Sequence, residues 1–479
     1  AGASAEAARM PRGAAAFAAI TEVFLIDIAL VQAASVASPR HPSSPDGAQR
    51  ITQQAGHPTA GLPLASAQAA TTASASGVGV RRRRAAQVVL LAAFAIDLLL
   101  YGLVVPFLPG HAQALGASQA VTGALFASYA AGTLLATPPA AWLTDRLDAR
   151  RALLAGLLAL MAATLLFAYA PGLPALFAAR TAQGVSSAVT WTAGLALVAQ
   201  LYEPRERLAV FSGIFVASGV GILIGPPVGG VLYAWGGFRA PFLIGALLVA
   251  LDGLGRLIFL PGRAALKPPP AAHDSNGNLL RSGRFLLALA ITLVGAAVLA
   301  LLEPTLPPLL AATFGLPPLV IGLLIGCMIL VYMAALPLAT LATHRLSAQV
   351  TIVFGLFFGA LGLVLLASSS SVGHVAFALA AVGLAAACTL GPTLELLTAV
   401  GEAQHAGSNS AVPYGAIYGA YNVAYAGGIL IGPLAAGLAT GAFGAARGIA
   451  LPAVLPLLMA FVMLGGARRE YRHAGGKHD

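Results

Sequence analysis

A chain of 479 residues that is 58% hydrophobic and only 9% charged cannot cover itself with a water-compatible surface, because a soluble domain carries about 25% charge. What remains is a polytopic membrane protein, and the net charge of +10 does not point to nucleic acid, since most Lys and Arg stand in short loops between apolar runs. The two cysteines, Cys327 and Cys388, lie inside apolar segments and read as buried packing residues rather than as a disulfide or a metal site.

Residues 1–80 are rich in Ala, Ser, Pro and Gln and show no convincing periodicity. The run TEVFLIDIALVQAA holds Glu22 and Asp27 and is too short and too charged to span a bilayer. It also lacks the basic start and uncharged core of a signal peptide. The region reads as a disordered extension.

From about residue 86, twelve apolar runs of transmembrane length recur: near 86–108, 118–142, 152–170, 174–200, 209–233, 240–261, 285–306, 318–341, 349–369, 374–399, 412–440 and 447–466. The longest polar gap, RAALKPPPAAHDSNGNLLRSGR, separates the sixth from the seventh. The expected division is therefore an extension (1–80), an N-terminal six-helix half (81–261), a linker (262–284), a C-terminal six-helix half (285–466) and a tail (467–479). The fold class is all-α. Basic residues set the orientation. Arg81 to Arg84, Arg146, Arg150, Arg151, Arg205, Arg207, the four in the linker, Arg345 and the tail cluster all fall on one side of a twelve-span topology. Arg239 and Arg447 stand nearly alone on the other. Both termini are expected in the cytoplasm, with the protein in the plasma (inner) membrane.

The halves repeat each other. GILIGP at 221–226 recurs at 428–433, PFLP at 106–109 is echoed by PTLP at 304–307, and TDRL at 144–147 by THRL at 343–346; the offsets are 207, 198 and 199 residues. Three matches in the same order at nearly one offset indicate a duplicated six-helix unit. That is an architecture of transporters, with a central site that faces the two sides in turn.

Six charged side chains lie within the spans: Asp97, Arg180, Asp252, Arg256, Glu303 and Glu395. Each costs about 2.5–3.5 kcal/mol at a helix centre on insertion scales, so each needs a partner, water or a task. Asp252 and Arg256 stand four apart on one helix and can pair. Arg180 opens the run ARTAQGVSSA and is a fair partner for Asp97. Glu395 stands near a span end and reads equally as interfacial. Asp97 and Glu303 are each the single acid of their helix, in equivalent positions of the two halves. A carboxylate in a partly dry cavity can hold a proton or an organic cation, but not both comfortably. That competition is the chemistry of proton/cation exchange. Aromatic rings can complete a cation site; Phe94, Tyr101, Tyr129, Trp191, Tyr414, Tyr418, Tyr421 and Tyr425 are the candidates, the last three on one helical face.

Several of these stretches resemble known signatures. WLTDRLDARRALL resembles the cytoplasmic loop motif of the major facilitator superfamily, with Asp145, Arg146, Arg150 and Arg151 matching and Ala140 or Ala141 in place of the leading Gly. Asp145 and Arg146 are expected to latch helix ends in one conformation. SGVGILIGPPVGGVLY resembles the fifth-helix signature of antiporters of that superfamily. Gly221, Gly225, Pro226 and Pro227, with Gly432 and Pro433 in the repeat, are expected to give close helix packing that moves.

FAIDLLLYGLVVPFLP, AARTAQGVSSAVTWTAG, ILIGPPVGGVLYAWGGFRAPFLIGALLVALDG, LALLEPTLP and PYGAIYGAYNVAYAGGILIGP together resemble the vesicular amine transporters, the monoamine and acetylcholine carriers. The resemblance runs from about 86 to 466. It implies exchange of protons for a cationic amine, with Asp97 and Glu303 as amine contacts and Arg180 as the fourth-helix arginine. The family's second-helix lysine is Tyr129 here, its eleventh-helix aspartate is Asn422, and its tenth-helix aspartate falls near Ala387. A Tyr129–Asn422 hydrogen bond is the expected replacement for the lost charged pair. The Ala-rich composition suggests a prokaryotic relative, where a multidrug or amine exporter is the natural role.

The expectation is thus a monomeric, non-enzymatic secondary antiporter that exports a lipophilic cation in exchange for protons. Its cofactor is none beyond the proton gradient, and its partners are the small organic cation, protons and the bilayer. Asp97, Glu303, Arg180, Tyr129, Asn422, Tyr418 and Tyr101 are its binding residues. The alternative is a proton-independent facilitator or symporter of a small polar metabolite. A membrane enzyme is disfavoured, since there is no GxxxxGK[ST] run, no convincing Ser/His/Asp set and no metal-ligand spacing within the spans.

Overall fold

A backbone in lipid has no water to satisfy its N–H and C=O groups, so each apolar run must close its hydrogen bonds internally as helix. The computed structural model describes residues 80–262, 279–405 and 414–475. The extension and most of the linker lie outside them. Among the described residues 12 helices are long and apolar enough to cross a membrane. The first six are Arg81–Leu103, Gln119–Leu147, Ala149–Ala168, Leu173–Leu201, Ala209–Gly236 and Arg239–Phe259. The second six are Gly283–Phe314, Pro318–Arg345, Ala348–Ala367, Val372–His405, Ala416–Phe443 and Ala445–Gly465.

Local chemistry sets the helix ends. Ser118, Ser282 and Ser347 accept the N–H of Val121, Phe285 and Val350, so hydroxyls cap the second, seventh and ninth spans. Asp148 does the same for the third, accepting from Arg151 N. Asp148 and Ser347 are the two non-glycine residues with positive φ among the described residues, at 80° and 154°. They occupy matching places in the TDRL and THRL repeats, so the duplicated loop keeps its turn as well as its sequence.

Prolines break the first and seventh spans. The first helix stops at Leu103, turns through the PFLP segment and resumes as the short helix Leu108–Ala114. The seventh is interrupted at Leu301 and restarts as Leu302–Phe314, with Pro304 in its first turn, where a missing N–H costs nothing. This corrects two boundaries: the first span ends before Pro106, and the seventh runs past 306. Helix also continues from the twelfth span into the tail as far as Gly475. Both cysteines are free, but Cys327 is exposed on the bundle surface rather than buried.

The repeated GILIGP segments explain how the halves are built and joined. A Cβ on Gly221 or Gly225 would strike the backbone carbonyls of Ala95 or Leu99, so the fifth span lies against the first at glycine distance. Gly428 and Gly432 repeat this against Leu293 and Ala297 of the seventh. The following prolines reach across the molecule: the carbonyl of Pro226 meets Gly322 of the eighth span, and that of Pro433 meets Gly123 of the second. Gly230 lies on Pro318 and Gly437 on Gln119 in the same crossed pattern. The two halves are thus clamped, by symmetric contacts of small residues, at the end where the second and eighth spans begin.

Candidate functional site

The fourth span carries Arg180, Gln183, Ser187 and Trp191 at intervals of three and four, which places them on one face. Gly184 lies on that face too, and a Cβ there would collide with the Tyr129 carbonyl. The second span therefore packs close, and Thr133 Oγ1 donates to the Gly184 carbonyl at 3.1 Å. This contact delivers Tyr129 to Ser187.

Asp97, 1% exposed, faces that stripe from the first span. Ser187 Oγ donates to Asp97 Oδ2 at 2.6 Å, and Tyr129 Oη donates to Ser187 Oγ at 2.9 Å. The Trp191 side chain lies beside the carboxylate, steadied edge-on by Phe94 at 4.8 Å. Asp97 Oδ1 is buried and takes no well-aligned hydrogen bond among the described residues, the Trp191 indole N–H being the neighbouring donor that lies beside the carboxylate without ideal geometry. An ionised carboxylate there is half satisfied, which is costly unless a proton or cation completes it.

Glu303 stands in the first turn of the helix that restarts after Leu301. Tyr101 Oη donates to Glu303 Oε1 at 2.6 Å, and Arg180 Nη2 lies 4.0 Å from Oε2. Tyr101 and Arg180 belong to the first half and Glu303 to the second, so these contacts link the halves. Arg180 is fully buried. Its Nη1 donates to Gln183 Oε1 at 2.8 Å, and its guanidinium lies over the rings of Tyr101 (4.8 Å), Tyr129 (5.1 Å) and Phe126 (5.2 Å).

Three expectations change. Arg180 pairs with Glu303, not Asp97: its side chain is held among Gln183, Tyr101 and Tyr129, on the side of the seventh span. Tyr129 does not reach Asn422; its hydroxyl is spent on Ser187, while Asn422 is exposed on the eleventh span. Tyr101 and Tyr129 do face a cation, but it is the protein's own Arg180. Of the eleventh-span tyrosines, Tyr421 and Tyr425 stack at 6.4 Å and Tyr425 lies within electrostatic reach of Glu303. Tyr418 is 45% exposed and joins no ring contact. Tyr414 has no described side chain. Ser187 is the residue the sequence reading missed, although its place on the Arg180–Trp191 stripe could have shown it.

Asp252 and Arg256 pair as their spacing suggested, at 2.6 Å, and Arg256 Nη1 also donates to the Leu153 carbonyl at 2.8 Å. Asp97 lies near enough to feel both charges. In the last turns of the second span, Asp145 and Arg146 are exposed, with Arg146 over the Trp142 ring at 4.3 Å. The tie there is made by Arg150, whose Nη2 donates to the Leu257 carbonyl at 2.7 Å and holds the third span to the sixth.

Twelve spans in two symmetric halves, with buried charges meeting between them, define a membrane transporter. The profile of the Major Facilitator Superfamily matches residues 90–414, and the chain belongs to that family. A bacterial homologue of the human lysosomal transporter Spinster, in an inward-facing and occupied conformation, superposes with a TM-score of 0.68 over 81% of this chain and 98% of that one. At 12% identity that likeness concerns the fold alone. Among curated relatives, the MFS-type transporter ppzB of Metarhizium rileyi is 37% identical over 176 residues, 36% of either chain. The chromaffin granule amine transporter of Rattus norvegicus is 34% identical over 203 residues, 42% of this chain and 39% of that protein. The vesicular acetylcholine transporter of Homo sapiens is 35% identical over 266 residues, 52% of this chain and 47% of that protein. The chain thus spans about a third to a half of the length of the curated relatives it matches. It is a superfamily transporter related to the vesicular amine transporters.

Proposed function

We propose that this transporter exchanges a lipophilic organic cation or amine for protons by alternating access, moving the cation outward across a plasma (inner) membrane with both termini in the cytoplasm. The observation that carries this reading is the half-satisfied carboxylate of Asp97. One oxygen takes a charge-assisted bond from Ser187, the other has only the poorly aligned Trp191 indole N–H beside it among the described residues, and the arginine that could have neutralised it serves Glu303 instead. Such a group is stabilised by a proton or by an organic cation, and one expels the other. The names of the amine and acetylcholine relatives support a cationic cargo.

Glu303 is the second carboxylate. Arg180 and Tyr101 hold it across the junction of the halves, so a cation that engages Glu303 competes with Arg180. Binding there is tied to how the halves meet, which is what an exchanger requires. The clamp of Pro226 on Gly322 and of Pro433 on Gly123 is the contact on which the halves rock.

The test is reconstitution in liposomes with an imposed pH gradient and a panel of lipophilic amines. Uptake should follow the gradient and collapse when a protonophore dissipates it. Flux indifferent to the gradient would overturn the exchange reading. Asp97→Asn should abolish gradient-driven flux; normal transport by that variant would remove Asp97 from the site.

A further inference from the structure

Asp97 and Glu303 lie in different halves, yet a continuous set of contacts joins them. Asp97 Oδ2 is bonded to Ser187 (2.6 Å) and Ser187 to Tyr129 (2.9 Å). The Tyr129 ring packs on Tyr101 with centroids 4.6 Å apart, and Tyr101 is bonded to Glu303 (2.6 Å). Arg180 lies over both rings and beside Glu303. We propose that Tyr129 and Tyr101 are positioning residues that couple the two carboxylates, so that a proton or cation arriving at Asp97 changes how firmly Glu303 is held. This rests on the reading of both acids as binding groups.

A serine hydroxyl has one proton to give. Because Ser187 accepts from Tyr129, its own proton is aimed at Asp97, and the Tyr129 ring angle is fixed by that chain. A bond to an ionised carboxylate is about twice as strong as a neutral one. When Asp97 is neutralised, the pull on Ser187 and through it on Tyr129 weakens. Tyr129 is then free to turn against Tyr101, whose single proton holds Glu303 Oε1.

The charged and titratable groups around each acid are few. Asp97 faces Ser187 and Trp191 from the fourth span, Tyr129 from the second, and Asp252 and Arg256 from the sixth; the fifth span, packed on the first, carries no charged residue. Glu303 faces Arg180, Tyr101 and Tyr129 from the first half and Tyr425 from the eleventh span.

The test uses the full chain in lipid nanodiscs, with Trp142→Phe and Trp235→Phe leaving Trp191, beside Asp97, as the fluorophore. A pH titration of its emission should show a step that Asp97→Asn removes. Glu303→Gln should move that step by about one pH unit, tenfold in proton affinity. In Tyr129→Phe, and separately in Ser187→Ala, the step should remain but no longer respond to Glu303→Gln. Full retention of the response in both variants would overturn the proposal, because the acids would then communicate without the tyrosines. A step that ignores Glu303→Gln in the otherwise unaltered protein would overturn it as well. Binding of tetraphenylphosphonium, a cation with no proton of its own, is followed in parallel. If its affinity is indifferent to Asp97→Asn while the coupled titration persists, the cation-site reading falls and the coupling stands.

Discussion

The crossed glycine contacts permit a quantitative test of how the halves move. Adding a methyl group to Gly230 would place its carbon 2.6 Å from the Pro318 carbonyl oxygen and 2.7 Å from Leu319 Cα; at Gly437 the nearest atom would be the Gln119 oxygen, also at 2.6 Å. Real carbons do not approach below 3.0 Å. All these obstacles are backbone, so no side chain can swing away. The helices must part by at least about 0.4 Å, and overpacking of this kind costs about 1–3 kcal/mol. That cost falls on the conformation in which this end is closed, and is relieved in the one where the halves separate there. Gly230→Ala and Gly437→Ala should each shift the balance toward the separated form by about 5–150-fold. Gly427→Ala is the control, since its methyl would meet Leu293 Cδ1 at an ordinary 3.5 Å. The assay is a pulsed spin-label distance between Leu115→Cys and Phe443→Cys, in a background without Cys327 and Cys388. Both positions are exposed, at 40% and 57%, and belong to different halves. A longer-distance population should grow in the two variants and not in the control. Unchanged distributions in both, with only a lowered melting temperature, would show that these glycines merely pack.

Other expectations concern the framework. Arg256→Met strands Asp252 in the membrane, and breaking a buried pair costs about 3–5 kcal/mol; melting in detergent should drop sharply and largely recover when Asp252→Leu is added. At Asp148, where φ is 80°, Asp148→Ala loses about 1 kcal/mol of helix cap. Asp148→Gly loses the same bond but releases about 1–3 kcal/mol of backbone strain, so it should melt at or above the parent and the alanine variant below it. His111, in the short helix between the first and second spans, stacks on Phe238 at 3.6 Å, and burial lowers its pKa below 6.5. The unfolded chain then takes up a proton that the folded chain resists. Stability is complete above that ordinary value and declines as pH falls below it; His111→Gln should flatten this part of the melting-versus-pH curve.

The fold was legible because lipid leaves the chain so little choice. Length and hydropathy mark the spans, and duplication appears as text: GILIGP, PFLP/PTLP and TDRL/THRL return as matching packing, breaks and turns. The errors lie where a proline acts within a span. Pro106 and Pro304 stand in apolar runs that hydropathy alone joins into one helix. The first span stops three residues before Pro106, and the seventh restarts two residues before Pro304. The expected latch is a related case. TDRL shows charges near a helix end, but only geometry reveals that Arg150 reaches the Leu257 carbonyl while Asp145 and Arg146 remain exposed.

The site was legible as a set of residues and not as a set of pairs. Asp97, Glu303, Arg180, Tyr101 and Tyr129 announce themselves, because charge and hydroxyl are expensive in lipid. Which acid the arginine serves depends on where facing helices bring their side chains, and periodicity carries no information about that. Gly184 decides it. By letting the Tyr129 backbone approach, it turns the Tyr129 hydroxyl onto Ser187 and leaves Arg180 between two tyrosine rings on the Glu303 side. The positions where the resemblance to the amine transporters implies a lysine and an aspartate are Tyr129 and Asn422 here. Tyr129 and Asn422 form no hydrogen bond with each other among the described residues. The tyrosine turns inward to orient Ser187, and Tyr101, Arg180 and Glu303 make a polar contact between the halves beside the crossed glycine clamp.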